Sequence, residues 1–115
     1  MNIEELREYC LLKKGTIECF PFDDVTLVFK VSGKMFALTN LDGDLSINLK
    51  CDPEKAVELR EQFPAVKPGY HMNKKLWNTV EIDGSIRDDL IKNWIDDSYD
   101  LVVLSLPIKL RANLK

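Results

Sequence analysis

A chain of 115 residues with 45% hydrophobic and 30% charged residues has the length of one domain and a globular composition, which excludes a disordered, collagen-like or membrane-embedded chain. Three cysteines, Cys10, Cys19 and Cys51, are odd in number and form no CxxC pair, excluding a closed disulfide framework and a cysteine-only zinc site and fitting a reducing cytoplasm. The single histidine, His71, excludes multi-histidine metal chemistry and any mechanism dividing acid and base work between two imidazoles.

One domain over residues 1–115 is therefore expected. The acidic start Asn2-Ile3-Glu4-Glu5 has no apolar core of a leader peptide, and no stretch is apolar enough to span a membrane. The net charge of −3 is unevenly spread. Residues 1–24 carry six acids against three bases, and residues 82–100 six against two. From Gln62 to Val80 there are three lysines and His71 without an acid, so a polyanion would bind locally against an unfavourable global field.

Asn2 with Glu5 three residues on resembles a capping box, and Ile3, Leu6 and Cys10 share a helical face, predicting a helix over 2–13 closed by Gly15. Val25, Leu27, Phe29 and Val31 alternate with Thr26, Val28 and Lys30; the Ser32-Gly33 turn then returns a strand over 34–39. A second turn at 40–43 leads to Leu45, Ile47 and Leu49 on one face and Ser46, Asn48 and Lys50 on the other, completing an antiparallel meander. Asp52-Pro53 caps and opens a short helix that ends at Pro64. Residues 65–75 read as a loop and 76–82 as a strand ended by Asp83-Gly84. Ser85 with Asp88 predicts the cap of a last helix, with Leu90, Ile91, Trp94, Ile95 and Leu101 buried, Ser98 and Asp100 as a break, and Pro107 as the end. The order α-β-β-β-α-β-α with short links predicts an α+β fold: an open antiparallel sheet with helices packed on one face.

Few residues suggest chemistry. Ser32-Gly33-Lys34 lacks the loop-to-helix context of a phosphate loop, and Asp42 with Asp44, like Asp96 with Asp97 and Asp100, lacks calcium-loop spacing. The cysteines sit among apolar neighbours as small hydrophobes. The segment from Pro68 to Val80 stands out: Lys74 and Lys75 bring mobile charge, Asn73 and Asn78 donate and accept together, and Tyr70 and Trp77 offer flat faces for stacking. The bland alternative packs both rings on the core edge, with the lysines solubilising the loop.

The sequence resembles the MmcQ/YjbR family of small bacterial proteins, generally described as DNA-binding on structural grounds. The likeness rests on Tyr9-Cys10, Gly15-Thr16, Val28-Phe29-Lys30-Val31, Leu49-Lys50-Cys51-Asp52-Pro53-Glu54, the run His71-Met72-Asn73-Lys74-Lys75-Leu76-Trp77-Asn78-Thr79-Val80, and Ser98-Tyr99-Asp100-Leu101-Val102. It implies an α+β fold whose open sheet is likened to a double-wing DNA-binding surface, and it implies no established enzyme activity; no cofactor is expected. Leu76 departs from the family, which often has a second histidine there.

DNA is accordingly the expected partner, and the expected location is the cytoplasm. Lys67, Lys74 and Lys75 are expected on phosphates, and Asn73, Asn78 and Trp77 on sugars or bases, with Lys30 and Lys50 extending the patch from the polar faces of their strands. His71, which the motif couples to Asn73 and Trp77, joins this set, its ring expected to bond to loop backbone. The pI near 5.2 argues against tight nonspecific duplex binding. The alternative is a protein-interaction or chaperone-like module, monomeric or homodimeric. No nucleophile, oxyanion donor set or metal partner for His71 is identifiable, so neither catalysis nor a metal is expected.

Overall fold

The computed structural model describes residues 1–114. Its elements run α1 (Ile3–Leu12), β1 (Thr16–Cys19), β2 (Thr26–Val31), β3 (Lys34–Asn40), β4 (Ser46–Lys50), α2 (Pro53–Gln62), β5 (Val66–Pro68), β6 (Trp77–Glu81), α3 (Asp88–Leu104) and α4 (Ile108–Ala112). The six strands form one antiparallel sheet in the order β1-β2-β3-β4-β6-β5. The α+β class and the open sheet are as the sequence predicts, with two strands more.

Those two are β1 and β5. Each is an outer strand of four residues or fewer, too short to carry a periodic pattern, and each is held by the ladder of its neighbour. The supposed loop over 65–75 thus begins as a strand, with Lys67 opposite Thr79 and Pro68 opposite Asn78. Further along, α4 follows Pro107, where the sequence suggested only an end.

Local signals explain most of the rest. The Asn2 side chain accepts the Glu5 N–H at 2.8 Å while the Glu5 carboxylate accepts the Asn2 N–H at 3.2 Å, a reciprocal cap on α1. Asp52 caps α2 by accepting from the Lys55 N–H, with Pro53 in its first turn. Ser32 and Gly33 both have positive φ, 49° and 80°, which suits the twist of a two-residue hairpin turn. Between β2 and β3 the register slips by one residue opposite Phe36, so Phe36 and Ala37 both enter the helix-side core.

Two expectations for α3 are corrected. Ser85 does not cap it: its N–H and hydroxyl both donate to the Asp83 carboxylate, at 2.9 and 2.6 Å, and Arg87 is the N-cap without a side-chain bond. Nor does the helix break at Ser98. Its 17 residues are continuous because the Ser98 hydroxyl bonds outward to the sheet rather than competing for its own helix.

All three long helices cover one face of the sheet. Leu6 and Cys10 of α1, Leu59 of α2, and Ile91, Trp94, Ile95 and Val102 of α3 pack on Leu27, Phe29, Val31, Ile47, Leu49 and Val80. The other face has no helix. It carries a small apolar cluster of Val28, Leu38 and Trp77, with Cys19, Met35, Met72 and Leu76 around it.

Candidate nucleic-acid interface

Because side chains alternate along a strand, the helix-free face is built from Thr26, Val28 and Lys30 of β2, Leu38 and Asn40 of β3, Ser46, Asn48 and Lys50 of β4, Lys67 of β5, and Trp77, Thr79 and Glu81 of β6. Across its middle, Thr79 Oγ1 donates to Asn48 Oδ1 at 2.5 Å. A groove of about 1060 Å³ runs over this floor. One wall is the segment bearing Tyr70, His71 and Met72, and the other carries Phe22 and Asp23.

The 69–76 loop that forms the first wall is held from several sides. The Gly69 N–H donates to the Trp77 carbonyl at 2.9 Å, so the chain doubles back directly over Trp77. A Cβ at Gly69 would stand 2.8 Å from Trp77 Cβ and 2.9 Å from its carbonyl oxygen, so only glycine fits there. The Tyr70 N–H donates to Thr79 Oγ1, and the Asn73 side chain accepts the Lys75 N–H at 2.9 Å, an Asx turn. Arg60 of α2 donates to the Lys74 carbonyl at 3.0 Å, fixing the loop to the helix layer.

Charge divides along the strands of this face. At the end formed by Lys30, Lys50 and Trp77, the Cys51 N–H bonds to the Leu76 carbonyl at 2.7 Å, which brings Lys75 beside Lys50. Among the described residues, no carboxylate pairs with Lys30, Lys50 or Lys75. At the opposite end the groove is lined by Asp23, Asp44, Glu81 and Asp83. Hydrogen bonds from the Thr26 and Val25 N–H groups and the Thr26 hydroxyl hold the Asp23 carboxyl below its ordinary range, and the Ser85 hydroxyl and N–H do the same for Asp83. Both carry full negative charge at neutral pH.

The structure scatters the residues that the sequence put forward. Lys30 of β2 and Lys50 of β4, with β3 between them, lie toward the same end of the sheet as Lys75, while the Lys74 ammonium donates to the Gly69 carbonyl at 3.0 Å. Lys67 lies toward the acidic end and is bridged to Glu81 at 2.6 Å. Asn73 is spent on its turn. Trp77 is not a free stacking surface: it is 8% exposed and forms the small core of the open face. Asn78, the next residue, points the other way, is 2% exposed, and donates to the Ala56 carbonyl of α2 at 3.2 Å, out of reach of any ligand on the open face.

His71 departs from expectation as well. Its ring makes no hydrogen bond among the described residues; it lies exposed against Tyr70, ring centroids 4.0 Å apart, on a backbone with φ of 59°. With it, the exposed rings of Tyr70 and Phe22, 69% and 63% accessible, line the groove. The sequence singled out Tyr70, whereas Phe22 lies in an aperiodic Pro21-Phe22-Asp23-Asp24 stretch that gave no signal.

Reactive groups are quiet. All three cysteines are free, and burial pushes the Cys10 thiol up to about 12 and raises that of Cys51. No three His, Cys, Asp or Glu side chains among the described residues gather as a metal site. No helix among them is long and apolar enough to cross a membrane.

The family model described as YjbR matches residues 11–101, most of the sheet and helix layer just described. The chain belongs to the YjbR family. It is 37% identical over 115 residues to the uncharacterised protein YjbR of Escherichia coli K12, covering 99% of this chain and 98% of that one. The uncharacterised protein YbdF of Escherichia coli O157:H7 is 45% identical over 86 residues, 74% of this chain and 70% of the relative. Among solved structures, Deinococcus radiodurans protein DR2400, a DUF419 domain, superposes with a TM-score of 0.93 at 41% identity, covering 98% of this chain and 87% of that one. A Pseudomonas syringae protein superposes at 0.77 with 31% identity, covering 88% and 98%. These two solved structures share the α+β fold with its open sheet.

Proposed function

We propose that this chain is a non-enzymatic, cytoplasmic nucleic-acid-binding domain that takes the phosphate backbone at the lysine end of its open sheet face. The observation that carries the reading is the placement of Lys30, Lys50 and Lys75 toward one end of the sheet, without carboxylate partners among the described residues, with Lys74 on the adjoining 69–76 loop. Phosphate affinity comes from lysines that displace the counterions condensed on the nucleic acid, and this end of an otherwise acidic molecule supplies unpaired ones. Free thiols fit a reducing compartment, and burial raises the thiols of Cys10 and Cys51 away from nucleophilic use.

The test is a titration of labelled DNA at several salt concentrations. With about four phosphates neutralised, log K falls against log salt with a slope near −3.6 for duplex DNA and near −2.8 for a single strand. Removing Lys50 lowers that slope by about 0.9 or 0.7 respectively. No binding even at the lowest salt overturns the proposal.

A protein-interaction or chaperone-like role is the second reading, favoured by the exposed apolar side chains Ile17, Phe20 and Phe22 in and beyond the outer strand β1. Light scattering distinguishes its homodimeric form, which gives twice the 13.2 kDa chain mass.

A further inference from the structure

We infer that the open sheet face also seats a second copy of this chain, turned about a two-fold axis that runs across the strands, so that the lysine end of each copy lies on the acidic end of the other. This goes beyond the nucleic-acid reading and does not rest on it. The two meet at Lys30, Lys50 and Lys75, for which phosphate and the second copy compete.

The sheet register supplies the axis. Cys19, Val28, Leu38, Asn48, Thr79 and Lys67 are paired in turn from strand to strand, one row across the face that no helix covers. To one side of the row lie Lys30 and Lys50, each two residues from it, and Lys75, four residues from Thr79. To the other side lie Thr26, Ser46 and Glu81, each two residues away, and Asp83, four.

A half-turn about the row carries Lys30 over Thr26 of the second copy, whose N–H and hydroxyl donate to the Asp23 carboxylate at 2.7 and 3.1 Å. It carries Lys50 over Ser46, which is paired with Glu81 and stands two residues from Asp44, and it carries Lys75 over Asp83. Each of these lysines, without a carboxylate partner among the described residues, thus faces one on the other copy, and the symmetry makes every contact twice. The carboxylates line the groove of about 1060 Å³, which gives the long lysine side chains room to enter. An axis along the strands would instead set lysines on lysines and acids on acids, so the charge pattern selects one of the two ways in which copies can stack on this face.

The uncharged side chains agree with that choice. Charge pairs at a surface fix register more than they add affinity, so a lasting contact needs apolar area as well. Ile17, paired with Lys30 at the lysine end, is 58% exposed, and Phe22 stands beside Asp23 at the acidic end of the same border. The half-turn brings Ile17 of each copy toward Phe22 of the other. Tyr70, whose N–H is on Thr79 Oγ1, stands by the axis, where its exposed ring meets its own counterpart.

Sedimentation velocity over a concentration series in low salt tests this. The parent is expected to shift with concentration from the 13.2 kDa monomer toward twice that mass. Raising salt to about 0.5 M is expected to weaken the association about tenfold or more, since charge sets the register. Lys50→Glu alone, and Asp44→Lys combined with Glu81→Lys, are each expected to stay monomeric, because each sets like charges together at both ends. An equimolar mixture of the two variants recovers the dimer, since the reversed charges then match. Asp23 and Asp83 are left in place because they hold turns, and parent-like melting temperatures show that both variants fold; if either melts early, the salt series of the parent decides. A parent that is monomeric throughout, a dimer indifferent to salt and to both variants, or folded variants that fail to pair when mixed overturns the inference. A monomeric parent that still binds labelled DNA removes the inference alone, and a dimer that binds no DNA removes the nucleic-acid reading alone.

Discussion

The hydroxyl of Ser98, wholly buried in the middle of α3, donates to the carbonyl of Phe36 at 2.6 Å. Phe36 is the extra residue of the β2–β3 slip, and the same hydroxyl accepts the Lys50 N–H at 2.8 Å. One small side chain therefore closes backbone groups of two central strands that the sheet leaves open, and it positions the strand bearing Lys50. Ser98→Ala strands a buried donor and acceptor, at a cost of about 1–3 kcal/mol. Thermal unfolding is expected to show a melting temperature several degrees lower, with the parent's secondary structure retained.

His71→Ala has the opposite forecast. The ring lies against Tyr70 and is exposed, so the change is expected to shift stability by less than about 0.5 kcal/mol. His71→Gly, which suits the positive φ of this position, melts at or above the parent temperature. A fall of several degrees on removing the imidazole would restore a structural role.

Gly69→Ala is the sharpest single test of the loop. The new methyl meets Trp77 on two sides, its Cβ and its carbonyl, and neither is the far end of a flexible chain. The expected loss is about 1–3 kcal/mol, accompanied by a change in tryptophan fluorescence as Trp77 shifts. Parent-like unfolding and emission would refute the close fit.

Alkaline pH probes the interior of the helix layer. Burial and the hydrogen bond to Asp96 push the Tyr9 phenol up to about 12, and burial does the same for the Cys10 thiol. Both folded values lie above those of an unfolded chain, about 8.5 for a thiol and 10 for a phenol. Their contribution is therefore complete below the unfolded values and is lost as pH rises toward 12. Denaturant midpoints are expected to fall from about pH 9, and Tyr9→Phe flattens the part of that fall above pH 10.

How much of this was legible depended on how local the cause was. The Asn2 cap, the Asp52-Pro53 helix start and the Ser32-Gly33 turn each act within four residues, and all three stand where the sequence puts them. β1 and β5 exist because longer strands beside them offer hydrogen bonds, a cause that lies outside their own residues. The site was read less well for the same reason. Trp77 and Asn78 are neighbours on a strand and must face opposite ways, but only the fold shows that both faces are closed there: one by α2 and the other by the doubling back of the chain at Gly69. Lys30 and Lys50 lie on strands separated by β3, and their common end becomes visible only with the sheet register.

The two short outer strands also bear on how this chain behaves at the concentrations of a cell making it. An open sheet offers unpaired backbone at each border, a template on which further copies can stack into fibres. Here one border ends after three residues in Pro68, which has no N–H to offer, beside the charged Lys67. The other is four residues long and carries Glu18, whose carboxylate accepts two bonds from the Arg7 guanidinium of α1. Both borders are too brief to template cross-β growth, so the broad open face can stay available to a ligand without long unpaired strands at its edges.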